Sequence, residues 1–219
     1  MISRPGGELV EYYRRRASEY EEIYAKPERQ ADLAFLRRHI AERLAGRRVL
    51  EVACGTGYWT TLVARSAARI VATDAAEEPL RIAMAKDYAE RDVRFELADA
   101  YALGDELGRF DGALAVFWWS HVPLSRIADF LASLHQRLEP GARVLLMDNR
   151  YVEGNSTPIA ERDGEGNTYQ LRRLRDGSEN RVLKNFPTEA ELRAHLGPHA
   201  RELSYRALEY YWLAEYALK

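Results

Sequence analysis

Apolar positions change their spacing repeatedly along the chain, and the changes predict alternating helices and strands. Leu9, Tyr12, Tyr13, Tyr20, Ile23 and Tyr24 recur at helical intervals, so residues 8–25 are expected to form one amphipathic helix, closed by Pro27. Leu33, Leu36, Ile40 and Leu44 form a second stripe that ends at Gly46, a residue suited to a helix C-terminus. Val49, Leu50 and Val52 then form a short apolar run, as a buried parallel strand does, and Ile70-Val71-Ala72 repeats it. Pro79 suits the first turn of a helix through Leu80, Ala83, Met84 and Asp87. Phe95 and Leu97 alternate with Arg94 and Glu96 in a third strand, and DGALAVF from Asp111 makes a central fourth. A helix capped by Ser125 carries Ile127, Leu131, Leu134 and Leu138, and Pro140-Gly141 turns into a fifth strand from Arg143 to Met147.

Beyond that strand the alternation stops. Residues 152–166 are polar and glycine-rich and read as a loop. Tyr169 to Leu174 and Arg181 to Phe186 flank Asp176-Gly177-Ser178 as a hairpin with a long turn. Thr188-Glu189-Ala190-Glu191 is a capping box opening a last helix, and 199–205 and 208–218 supply two more strands. The fold expected is α/β and Rossmann-like, with seven mostly parallel strands and helices on both faces. A single domain over 1–219 is expected, with a helical lid at 1–46 and an inserted loop and hairpin at 152–186.

Composition narrows the function more than the fold. Hydrophobic residues make up 47% of the 219, enough for a packed core. The net charge of −2 argues against a surface built for long polyanions, so nucleic acid is an unlikely partner. Cys54 is the only cysteine, which rules out an intrachain disulfide; it reads as a small packing residue. MISRPGGELVEYYRRR has no apolar core for a signal peptide and no run could span a membrane, so a cytoplasmic protein is the expectation. Asn155-Ser156-Thr157 is then an ordinary loop, and the arginines at 14–16 and at 172, 173 and 175 are expected to be solvated faces.

The candidate chemistry lies where the first strand ends. Ala53-Cys54-Gly55-Thr56-Gly57 separates that strand from helical spacing at Trp59, Leu62 and Val63. Two glycines let a ligand lie against the backbone, and the following helix offers free N–H groups. The second strand ends in Asp74, about 20 residues on, where a nucleotide-binding crossover places a carboxylate for ribose hydroxyls. A dinucleotide fingerprint would need glycine at position 60, which is Thr60, and no P-loop triplet occurs.

The run EVACGTG with the strand-end Asp74 resembles the glycine motif of class I S-adenosylmethionine-dependent methyltransferases, from about Glu8 to the C-terminus. FWWSHVP and DNRYVEGNST further resemble a bacterial small-molecule branch that N-methylates heterocycles such as azapteridine toxins. The resemblance implies S-adenosylmethionine as cofactor, with S-adenosylhomocysteine as product and no metal. It implies methyl transfer to N or O of a small, planar metabolite. Glu51, Ala53, Gly55, Gly57, Asp74 and Ala75 would hold the cofactor, with Asp99 and Ala100 at its adenine and Phe117 beside it. A lid tyrosine, Tyr12 or Tyr24, would reach its carboxylate. Of five histidines only His121 falls at a strand's carboxyl end, which makes it the candidate base. Trp118 and Trp119 alternate faces, so one packs under a helix and one stacks on substrate. Asn149, Arg150, Tyr151 and Tyr169 complete the expected substrate pocket. An NAD-dependent oxidoreductase and an RNA-associated module, for which the polar 152–185 stretch speaks, remain the rivals. Oligomeric state is not legible.

Overall fold

The computed structural model describes residues 7–219, so the reading of residues 1–6 lies outside it. Five parallel strands, β1 (Arg48–Val52), β2 (Arg69–Asp74), β3 (Val93–Leu97), β4 (Phe110–Val116) and β5 (Leu138–Asn149), lie in the order β3-β2-β1-β4-β5. The chain then runs through a small three-stranded sheet, β6 (Glu161–Arg162), β7 (Thr168–Arg173) and β8 (Glu179–Leu183). It returns as β9 (Ala200–Ala207) at the edge and β10 (Tyr211–Leu218), which inserts antiparallel between β5 and β9. Strand order reverses between β1 and β4, the place where such sheets open a crevice.

Alternation along the strands feeds two cores. Leu50, Val52, Val144 and Leu146 face α5 (Ile127–Gln136) and α6 (Glu189–Leu196), which bury Phe130, Leu134 and Leu196 against them. Val49, Leu114, Leu145 and Met147 face the opposite way, towards α2 (Gln30–Arg43), α3 (Tyr58–Val63) and α4 (Glu77–Met84). The expected stripe of α2 is the one buried: Leu33, Leu36, Ile40 and Leu44 are fully inaccessible, each stabilising the fold by roughly 2 kcal/mol. Thr188 and Glu191 form the expected capping box of α6.

Several local expectations change. Residues 8–25 are not one helix: α1 (Gly7–Arg16) tightens into a 3-10 helix over Ala17–Ala25. The three-residue repeat brings Ala17, Tyr20 and Ile23 to one side, and Tyr13, Tyr20 and Tyr24 form an edge-on ladder with centroids 5.8 and 6.3 Å apart. Ser125 caps nothing; its hydroxyl donates to Glu165 at 3.0 Å, because a 3-10 turn over Leu124–Arg126 precedes α5. Pro140 and Gly141 lie within β5, as a bulge that shifts the pairing from Phe110–Leu138 to Gly112–Arg143. Two residues of the polar loop, Glu161 and Arg162, pair as a strand that no apolar pattern announces.

Candidate active site

A cavity of about 820 Å³ opens over the carboxyl ends of β1, β2 and β4. At its floor the chain is left-handed at Ala53 (φ 55°) and Gly55 (φ 57°), and at the end of β4 it is left-handed again at Phe117 (φ 58°). Non-glycine residues held there store strain, which the surrounding pairing maintains: the Phe117 N–H donates to the Met147 carbonyl at 2.8 Å. Asp74 ends β2 beside the loop and accepts from the Gly55 N–H at 2.8 Å and the Ala76 N–H at 2.9 Å. Burial raises its carboxyl above the usual range while those two N–H groups pull it down. One bond to each oxygen leaves lone pairs free towards the cavity. Asp99 is exposed after β3, one oxygen holding the Tyr101 N–H at 2.9 Å.

Ala53, Gly55, Asp74 and Ala75 line this cavity, with Asp99, Ala100 and Phe117 on the far wall. Trp118, His121 and Tyr169 also reach it. The other expected residues lie elsewhere. Gly57 is not at the ligand surface; its conformation (φ 77°) and the packing beneath it require glycine, since a Cβ would stand 2.8 Å from the Tyr88 hydroxyl and 2.9 Å from Ala83 Cβ. Glu51 is buried under the loop, one carboxylate oxygen without a partner, and burial pushes it up to about 8. Trp119 is the tryptophan that packs inside, edge-on to Phe130 and Trp212. Arg150 caps the Leu208 carbonyl and Tyr151 rests edge-on to Phe186, while Asn149 opens onto a neighbouring chamber. Tyr24 stacks on Tyr58 at 3.6 Å and accepts from Trp59 Nε1, a core role.

The lid tyrosines at the cavity are Tyr13 and Tyr20. Tyr12 turns away into a small cluster with Leu174 and Val182 of the hairpin. The Tyr13 hydroxyl lies 2.7 Å from His121 Nε2, and His121 Nδ1 lies 2.7 Å from the Leu183 carbonyl. A carbonyl only accepts, so Nδ1 carries the proton and Nε2 accepts from Tyr13. Burial and then the Lys184 ammonium push His121 well below its ordinary value, and burial raises Tyr13 to about 12, so both are neutral near pH 7. Lys184, fully buried, donates to Ser120 Oγ at 2.5 Å and Asp148 Oδ1 at 2.9 Å; burial lowers it to about 8. Burial alone would raise Asp148, but Lys184 and His121 outweigh it and hold the carboxyl below its usual range. The sequence signal for this pair was a lone cation in VLKNF and an acid ending an apolar strand.

Residues 49–141 match the family described as a methyltransferase domain. That stretch carries a methyltransferase domain of the S-adenosylmethionine-dependent kind.

The chain is 31% identical over 165 residues to a ubiquinone biosynthesis O-methyltransferase of Azorhizobium caulinodans, covering 74% of this chain and 61% of that one. It is 33% identical over 104 residues to the Azotobacter vinelandii enzyme of the same name, covering 47% and 44%. The chain therefore spans less than two thirds of these curated relatives. Among solved structures, a DhpI-SAM-HEP complex superposes with a TM-score of 0.77 at 28% identity, covering 95% of each chain. The Burkholderia thailandensis 1,6-didemethyltoxoflavin-N1-methyltransferase superposes with a TM-score of 0.64 at 21% identity, over 100% of this chain and 92% of that one, a likeness of fold alone. The chain's own residues fit an adenosyl donor: the Asp74 lone pairs suit vicinal hydroxyls, and the strained backbone at Ala53–Gly55 leaves room against it. Among the described residues no helix is long and apolar enough to cross a membrane, and no cluster of potential metal ligands occurs.

Proposed function

We propose that this chain transfers a methyl group from S-adenosylmethionine to N or O of a small, planar acceptor, in the cytoplasm. The observation that carries the proposal is Asp74, fixed by two backbone N–H groups in the wall of the 820 Å³ cavity. In this reading Asp74 holds the ribose, Ala53 and Gly55 lie along the donor, and Asp99 reads the exocyclic amine of adenine. The bound donor supplies an already activated sulfonium methyl. What the chain adds is alignment, which is positioning work, and exclusion of water.

Residues Gly7 to Glu11 of α1 close over the cavity, and Tyr13, Tyr20, Phe117 and Trp118 supply flat faces for a planar acceptor. A proton leaving the acceptor has one route to His121: the Tyr13 oxygen takes it while the Tyr13 proton passes to Nε2. Arg181, seated 3.3 Å over the Tyr169 ring, and Arg126, 3.6 Å over Tyr101, stiffen the outer wall.

The test is calorimetric titration with S-adenosylmethionine, S-adenosylhomocysteine and NADH, repeated on Asp74→Asn and Asp74→Ala after their folding is checked by thermal denaturation. Binding of the adenosyl pair, lost in folded mutants and absent for NADH, is the expected result. NADH binding in its place would return the chain to the oxidoreductase reading.

A further inference from the structure

A second chamber of about 400 Å³ adjoins the donor cavity and shares Tyr13, Tyr20, Phe117 and His121 with it. It lies on the β5 side, where Asn149 ends the strand, and the hairpin lines its other wall. Its walls carry cations and no acid: Arg16, Lys26 and Arg29 from the lid, and Arg172, Arg173 and Lys184 from the hairpin. Residues 1–6, MISRPG, contain no acid either.

Lys184 is neutralised by Asp148, but three half-buried guanidiniums have no carboxylate partner among the described residues. Arg16 rests over the Tyr12 and Tyr20 rings at 5.8 and 5.3 Å. Arg29 donates to Asn155 at 2.6 Å and weakly to Asn149 at 3.4 Å, and its Nε is buried with no partner at all. Arg172 forks onto the Gln170 side-chain oxygen at 2.7 and 3.1 Å. Arginines just outside are paired: Arg14 with Glu11, Arg15 with Asp176, Arg175 with Glu19 and Glu22. The chain has a net charge of −2, so a shortage of acids does not explain the difference. Gathering like charges in a partly buried space is costly unless something compensates them. An oxyanion is what guanidinium forks match.

We propose that this chamber binds the oxyanion group, carboxylate or phosphate-like, of the methyl acceptor, with Arg16, Arg29 and Arg172 as its clamp. Calling the anion part of the acceptor rests on the methyl-transfer reading; the anion site itself does not. The anionic end would anchor between lid and hairpin, and the reacting end would meet the donor at the Tyr13–His121 junction.

The full chain saturated with S-adenosylhomocysteine is titrated with inorganic phosphate, with benzoate, and with benzamide as the neutral match. Benzoate or phosphate should bind, the two arms showing which oxyanion is preferred, and benzamide should not. Arg16→Gln and Arg172→Gln should each weaken anion binding roughly tenfold, as loss of one charge-assisted contact does, while Arg172→Lys keeps part of it. Arg65→Gln, exposed and lining neither cavity, should change nothing. S-Adenosylhomocysteine affinity should be equal in all four variants. Anion binding that is unchanged in both glutamine variants, or equal binding of benzamide, overturns the proposal. Should the adenosyl ligand fail to bind while phosphate binding still depends on Arg172, the methyl-transfer reading falls and the anion site stands.

Discussion

At the scale of single residues, both nitrogens of His121 are engaged inside the protein, so any role in proton transfer runs through Tyr13. Tyr13→Phe and His121→Ala should then lower kcat by about a hundredfold or more, the usual worth of a placed proton acceptor, with donor affinity changed little. Equal loss of turnover and donor binding would reduce the pair to a wall of the pocket. The sequence pointed to His121 but not to its partner, because Tyr12 and Tyr13 are adjacent and helical spacing admits either. Gly57 is the opposite case: the glycine was legible, its reason was not. Gly57→Ala combines a left-handed backbone with two contacts under 3 Å and should destabilise by roughly 2–4 kcal/mol, measured by chemical denaturation.

At the scale of elements, the lid is held by the hairpin. Leu174 and Val182 receive Tyr12, and Arg15 reaches Asp176 while Arg175 reaches Glu19 and Glu22. These ion pairs are largely exposed and contribute little each, so apolar contact should dominate the docking. Leu174→Ala should cost about 2 kcal/mol and speed amide exchange in α1 and β8 ahead of the sheet. Uniform exchange across the molecule would show that the lid is not a separate unit. The helices α2, α5 and α6 were readable because their stripes bury against one flat sheet. The 3-10 segment at Ala17–Ala25 was not, because its tighter pitch answers to the tyrosine ladder above the cavity and not to residue type.

At the scale of the whole molecule, stability should fall on both sides of mildly acidic pH. Glu51 is raised to about 8, so it keeps its proton in the folded chain where the unfolded chain has lost it. That contribution is complete below about 4.5 and is lost as pH rises through 8, at up to about 1.4 kcal/mol per pH unit. Glu51→Gln should flatten this alkaline decline in thermal denaturation series; an unchanged slope would mean that Glu51 ionises freely. His121 is pushed well below its ordinary value and His135 to about 4, chiefly by burial. The unfolded chain protonates them first, so stability should also drop as pH falls below about 6.5. The sequence by itself determined the strand–glycine turn–helix unit, the acid at Asp74 and the order of layers, because each is written in the periodicity and turn chemistry of neighbouring residues. Only the tertiary structure decided that Tyr13 and not Tyr12 faces the cavity. It also decided that Arg16, Arg29 and Arg172 share a chamber and that Glu51 lies sealed beneath the loop. Those facts depend on the phase at which distant segments pack, and packing energy, not sequence spacing, sets that phase.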